Sequence, residues 1–218
     1  MRVDVWADIV CPWCYLGSAR FGAALGQFEH RDEVEVVYHS FELDPGSPAG
    51  ATQPVLDMLA AKYGMTTAQA AAAEGRVQGL AQAEGLGFTV DREFGNTRAA
   101  HRLLQYAQAH GDGRAMIRAL YNAYFGAGRS VFDEAGLAAV AADAGLDAGQ
   151  ARAALADAQA GQQVEDDIAL ARRLGVSGVP FYVIGGSRAV SGAQPTEVFL
   201  AALRSAWDDA AAPQGAPA

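Results

Sequence analysis

Cysteine, lysine and long apolar runs are what this sequence lacks. Two cysteines, Cys11 and Cys14, and a single lysine, Lys62, occur in 218 residues. Lys and Arg together number 16 against 25 Asp and Glu, so the net charge is −9. A surface of that sign repels phosphate backbones, and no basic cluster offsets it, which argues against nucleic-acid binding. No run approaches the roughly 18 consecutive apolar residues that a membrane helix needs. The N-terminus reaches Asp4 and Asp8 at once, without the basic start and apolar core of a secretory signal. The expectation is a cytoplasmic protein with neither a membrane nor a nucleic acid as partner. So few cysteines also exclude a disulfide-stapled scaffold. In a reducing compartment a lone pair at C-x-x-C spacing points to chemistry instead.

Zinc is the first rival for such a pair. A structural zinc site takes about four ligands, and the chain has no second C-x-x-C and no close His pair. His101 and His110 stand nine residues apart, and His30 and His39 bracket a strand. No metal site is expected. Two ordinary buried thiols are the other alternative, since free cysteine packs as a small apolar side chain.

What the sequence has in quantity is apolar patterning whose period switches repeatedly between that of a strand and that of a helix. Val3, Val5 and Ala7 alternate with polar neighbours and predict a strand ending before Cys11. From Pro12 to Phe28 the spacing of Leu16, Phe21, Ala24, Leu25 and Phe28 is helical, and a proline suits the first turn. Glu33 to Leu43 alternates again, which completes a β-α-β unit. The Pro- and Gly-punctuated stretch Asp44–Pro54 predicts a loop and a boundary. Alanine-rich helical segments follow, with Thr or Asn caps and glycine stops, the last running from Gly161 to Leu174. Beyond it Phe181–Ile184 and Arg188–Val190 flank Gly185-Gly186, a predicted hairpin. A helix over Thr196–Trp207 closes the chain before an Ala/Pro tail.

Cys11 therefore falls at a strand-to-helix turn. The thiolate is the attacking form of cysteine, and a helix N-terminus lowers a pKa of about 8.5 to roughly 3.5–7.5. Cys11 is expected to be the nucleophile and the more exposed sulfur. Cys14, one turn inside, is expected to be shielded and to resolve the mixed disulfide. Two-residue spacing lets the sulfurs meet in a small ring. Pro12 and Trp13 add no acid or base, so they fix the turn and tune it. A second signal is "GVSGVPFYVI", where Val179-Pro180 precedes a strand. Taken alone, it reads as a trans proline starting an edge strand in preference to a cis one.

The motifs "DIVCPWCYLG", "SFELDP", "NTRAAHRL" and "GVSGVPFYVIGG…SGAQP", in that order, resemble the DsbA family of the thioredoxin superfamily, and within it the FrnE-type branch. The resemblance implies an α/β fold of thioredoxin type, β-α-β … β-β-α, with a mixed four-stranded sheet and a large all-helical insertion. Residues 1–53 and 162–210 would form the thioredoxin-like domain, 54–161 the insertion and 211–218 a disordered tail. It implies Cys11 as nucleophile, Cys14 as its partner, and Val179-Pro180 as a cis-proline loop that pairs with an extended substrate segment. Asp8 matches an acidic position of the family. It either assists proton transfer to Cys14 or ends the strand and satisfies nearby backbone.

The implied activity is thiol:disulfide exchange through a redox-active Cys11–Cys14 disulfide, with no tightly bound cofactor. Its substrate would be a protein, a peptide or a small thiol. Glutathione or another thioredoxin-like protein would be the exchange partner. Asn96 and His101 read as helix-packing or hydrogen-bonding residues near the domain junction, with substrate contact as the second reading. Phe41 and Tyr182 read either as walls of a peptide groove or as core. The branch also resembles 2-hydroxychromene-2-carboxylate isomerases and kappa-class glutathione transferases, which place a serine where Cys11 stands; a glutathione-dependent isomerase is thus the second reading. A chaperone-like binding module is the third.

Overall fold

The computed structural model describes residues 1–211. In β1 (Arg2–Ala7) the alternating residues Val3, Val5 and Ala7 are buried, but so is Trp6, because this strand is covered on both faces. β1 pairs in parallel with β2 (Glu35–Ser40) and antiparallel with β5 (Phe181–Ile184), which pairs antiparallel with β6 (Arg188–Ser191). The sheet order β2-β1-β5-β6 is the expected mixed four-stranded sheet. The second strand is shorter than its alternation suggested. Arg31–Glu33 closes a 3-10 turn instead, and the chain leaves the sheet after Ser40.

One face of the sheet is covered by α1 (Pro12–Gln27) and α9 (Thr196–Ala211), which pack on each other. Phe199 meets Phe21 edge-on at 5.6 Å and Tyr182 at 4.7 Å, which fixes the two helices over β5. Between β2 and β5 the chain is mostly helical. Its helices are α2 (Val55–Tyr63), α3 (Thr67–Ala83), α4 (Arg98–His110), α5 (Gly113–Tyr121), α6 (Glu134–Asp143), α7 (Ala148–Ala156) and α8 (Ala158–Arg173). α8 starts ahead of Gly161 because Asp157 caps it, accepting from the Ala160 N–H at 2.7 Å. The expected boundary at 161/162 therefore falls inside a helix. The expected tail lies outside the described residues apart from Ala211, the last residue of α9. No helix among the described residues is long and apolar enough to cross a membrane.

Two features carried no sequence signature. β3 (Thr52–Pro54) and β4 (Glu93–Gly95) form a two-stranded antiparallel sheet where a loop was expected. Strands of three residues show no period, and their partners are far apart in sequence. The helix after Gly113 also widens to a π turn over Asn122–Gly126. That turn buries Tyr124 and Phe125 together, with Phe125 stacked on Tyr15 at 5.0 Å and on Phe88 at 5.4 Å.

The other face of the sheet is locked by a buried polar cluster. His39 on β2 stacks on Trp6 at 4.4 Å and contacts Asp167 of α8 through Nδ1 and Asp4 of β1 through Nε2, both at 2.7 Å. Asp167 also accepts from the Ser40 N–H, Gln105 of α4 and Gln163 of α8. Burial pulls the His39 pKa down, but the bonds and charges of Asp167 and Asp4 outweigh it and hold it above its ordinary value. Both ring nitrogens then donate, and the imidazolium ties β1, β2 and α8 together.

Gly17 sets the distance between α1 and the chain entering β5. A Cβ there would meet Tyr182 Oη at 2.9 Å and Pro180 Cγ at 3.0 Å, whereas one at Gly22, farther along the helix, would meet nothing within 4 Å.

Two outcomes follow from these contacts. Because the folded His39 pKa is raised, its stabilisation is complete below about 6.5 and lost as pH rises through the folded value. Urea midpoints measured from pH 6 to 9 fall for the wild type, and His39→Gln flattens that slope. Gly22→Ala raises stability by about 0.5–1 kcal/mol, while Gly17→Ala lowers it by about 1–3 kcal/mol through overpacking. Paired thermal melts show the opposite signs.

Candidate active site at the Cys11 turn

Cys11 is the N-cap of α1, with extended backbone at φ −83° and ψ 111°. Its carbonyl accepts the Cys14 and Tyr15 N–H groups at 3.0 and 3.2 Å, and its sulfur accepts the Cys14 N–H at 3.4 Å. The Cys14 N–H at the helix end is thus shared between the Cys11 carbonyl and Sγ. Pro12 occupies the first helical position, where a missing N–H costs nothing. Trp13 stands out from the turn at 45 % exposure. Both cysteines are free thiols.

The Val179–Pro180 peptide is cis, and the Val179 carbonyl lies 3.5 Å from Cys11 Sγ as acceptor. The Pro180 carbonyl accepts the Gly192 N–H at 2.8 Å, which ties this loop to the segment after β6. Residues 168 positions apart in sequence therefore meet at one sulfur.

Cys11 is only marginally the more exposed of the two sulfurs. Cys11 is 3 % exposed and Cys14 1 %, because the Val179 loop closes over the turn. The difference between them lies in what they face. Cys11 lines an open groove of about 510 Å³, together with Val10, Trp13, Leu43 and Val179, whereas Cys14 does not line it. Burial pushes the Cys14 thiol well above its ordinary pKa. The hydrogen bond and charge of Cys11 add to this, and so does the Asp8 charge, against an opposing backbone hydrogen bond from Asp8.

Asp8 is buried beneath the turn. Its carboxylate accepts from the Ile9 and Leu43 N–H groups, each at 2.7 Å, and from His101 Nε2 at 3.1 Å. Its carbonyl accepts from the Cys11 N–H at 3.3 Å and Tyr121 Oη at 3.5 Å. His101, fully buried on α4, also donates through Nε2 to the Phe41 carbonyl at 3.1 Å, and its Nδ1 has no partner among the described residues. Asn96 accepts from the Arg98 N–H and donates to the Ser47 carbonyl, so it holds the start of α4. Phe41 and Tyr182 do not line the Cys11 groove. Phe41 packs near Trp6 on the opposite face, and Tyr182 is core behind Gly17.

The groove's far wall was missed in the sequence. α2 and α3 supply Met58, Leu59, Tyr63, Val77 and Leu80, and Met65 comes from their connection. The available signal was that α2 carries apolar residues on more than one face. Equally unforeseen is Arg92, buried in this wall. It lies over the rings of Phe88, Tyr124 and Phe125 at 4.8 to 5.3 Å, and 2.7 Å from Glu74. Among the described residues no group of three or more His, Cys, Asp or Glu is placed to hold a metal.

Residues 2–204 match the model of the DSBA-like thioredoxin domain. A probable DsbA oxidoreductase from Streptomyces coelicolor superposes with a TM-score of 0.90 at 49% identity, covering 100% of this chain and 92% of that one. A 2-hydroxychromene-2-carboxylate isomerase gives a TM-score of 0.70 at 18% identity over 99% of this chain and 100% of that one. The cytosolic disulfide reductase DsbM from Pseudomonas aeruginosa, with GSH, gives 0.61 at 21% identity over 97% and 98%. The last two are similar in fold. With the family model spanning nearly its whole length and a dithiol turn facing a cis-proline loop, the chain belongs to the DSBA-like thioredoxin domain family.

Proposed function

We propose that the chain is a thiol:disulfide oxidoreductase, cycling Cys11 and Cys14 between dithiol and disulfide. The observation that carries this reading is the position of Cys11 Sγ. It sits at the wall of an apolar groove, between a helix-end N–H at 3.4 Å and the Val179 carbonyl at 3.5 Å. The Cys11 thiolate attacks a substrate disulfide, one S–S bond replaces another, and the first substrate sulfur leaves as a thiolate. Cys14 then gives up its proton and attacks Cys11 Sγ. The second substrate thiolate departs, and two electrons have passed from the dithiol to the substrate. Run backwards from the Cys11–Cys14 disulfide, the same steps oxidise a substrate dithiol.

The raised Cys14 pKa supports this division of labour, since a protonated Cys14 does not compete with Cys11 for the first attack. Pro12 and Trp13 shape the turn, Asp8 holds it from below, and Val179 and Pro180 present backbone to an extended substrate segment. In this reading residues 1–53 and 162–210 carry the sulfurs, and 54–161 supplies the groove's far wall. The exchange partner is glutathione or a thioredoxin-like protein, and the setting is the cytoplasm. No further cofactor enters the cycle, because the two sulfurs carry both electrons.

The test is insulin reduction and scrambled-ribonuclease refolding with wild type, Cys11→Ser and Cys14→Ser. Wild type is active, Cys11→Ser is inactive in both assays, and Cys14→Ser accumulates a mixed disulfide. A Cys11→Ser protein that keeps its activity when glutathione is added contradicts the reading and favours the isomerase type. Iodoacetamide at pH 7 labels Cys14→Ser much faster than Cys11→Ser, since the remaining thiol of the latter is buried and protonated. Equal labelling rates contradict the assigned roles.

A further inference from the structure

The groove beside Cys11 combines two properties. Of the large apolar side chains left exposed among the described residues, Trp13, Leu43, Tyr63, Met65 and Leu80 all line it. Its charges are also of unusual sign for a chain of net charge −9. The one acid in its lining, Glu74, is committed to buried Arg92, and Arg76, exposed on α3, has no carboxylate partner among the described residues. The single lysine, Lys62, donates to the carbonyl of the lining residue Leu43 at 3.2 Å. Asp44 and Asp57, next in sequence to Leu43 and Met58, do not line the groove. An acidic protein has thus gathered free positive charge at the mouth of its apolar groove.

We propose that this groove selects polypeptide substrates in which the reacting cysteine lies among apolar residues and next to an acidic one. Arg76, with Lys62 at the rim, is the specificity-determining cation. The proposal rests on the oxidoreductase reading above and names its substrate class. Exposed apolar surface is removed from water only by an apolar partner, and glutathione has no apolar side chain to offer beyond short methylene stems. Arg92 does not select, because Glu74 already neutralises it. Arg76 is free to meet an incoming carboxylate, and it also steers acidic chains toward a surface that otherwise repels them. Cys11 then attacks the disulfide of the bound segment, with the same electron balance as above.

Two leucine-rich peptides test this, each with one cysteine carried as its 2-pyridyl disulfide and differing only in Glu or Lys beside that cysteine. Release of pyridine-2-thione on mixing with the reduced enzyme gives the rate. The Glu peptide reacts about 2- to 10-fold faster at low salt, and the preference fades in 1 M NaCl as the Debye length shrinks to about 3 Å. Arg76→Glu inverts the preference. Arg152→Glu, the same charge change on α7, preserves it. Equal rates for the two peptides, or loss of the preference in Arg152→Glu, overturn the assignment of Arg76. Serine in place of leucine slows the reaction; an unchanged rate overturns the apolar part. A glutathione 2-pyridyl disulfide that reacts faster than the Glu peptide overturns the choice of polypeptide. Failure of the enzyme to react even with dipyridyl disulfide counts against the oxidoreductase reading itself, which separates the two failures.

Discussion

The buried carboxylate of Asp8 is the constraint on which the rest of the site depends. It joins three parts of the chain. These are the turn that becomes α1, the segment leaving β2 through the Leu43 N–H, and α4 through His101. A charged group so deep is tolerated only when its oxygens are satisfied, and here backbone N–H groups and an imidazole N–H satisfy them. The Asp8 carbonyl in turn accepts the Cys11 N–H, so the orientation of the first cysteine is fixed by the same residue. The helix end, the sulfur and the groove wall at Leu43 are therefore set together.

The geometry also explains how two chemically identical side chains acquire different tasks. Cys11 caps the helix and faces the groove. Cys14 lies one turn deeper, among Asp8, Tyr121 and Cys11, where burial and nearby negative charge disfavour a second thiolate. Proximity remains high, because the Cys14 N–H already touches the Cys11 sulfur. The site separates attack from resolution by solvation, not by distance.

Much of this was legible in the sequence because it depends on local pattern. Alternation in Val3–Ala7, Pro12 in a first helical turn and Gly185-Gly186 between short apolar runs each encode their structure within a few residues, and together they placed C-P-W-C at a strand-to-helix turn. The long-range features had no such encoding. Nothing near His39 announces Asp167, 128 residues away, and nothing in Thr52–Pro54 announces its pairing with Glu93–Gly95. That Cys11 is nearly as buried as Cys14 was illegible for a related reason. The strand-to-helix turn is local, but the Val179 loop that covers it is not. The α2–α3 wall went unread because apolar residues on two faces of a short helix look like ordinary core until the second face is found open.

The central claim is that Cys11 and Cys14 form one two-electron redox couple. The direct measurement is mass spectrometry of the acid-quenched protein after equilibration in glutathione buffers spanning roughly −270 to −120 mV, the range of related dithiols. The account predicts a single transition of two-electron steepness between the dithiol and a Cys11–Cys14 disulfide lighter by two hydrogens. Two thiols that stay free across the whole range, or that pass only to glutathione adducts without ever joining each other, would contradict it.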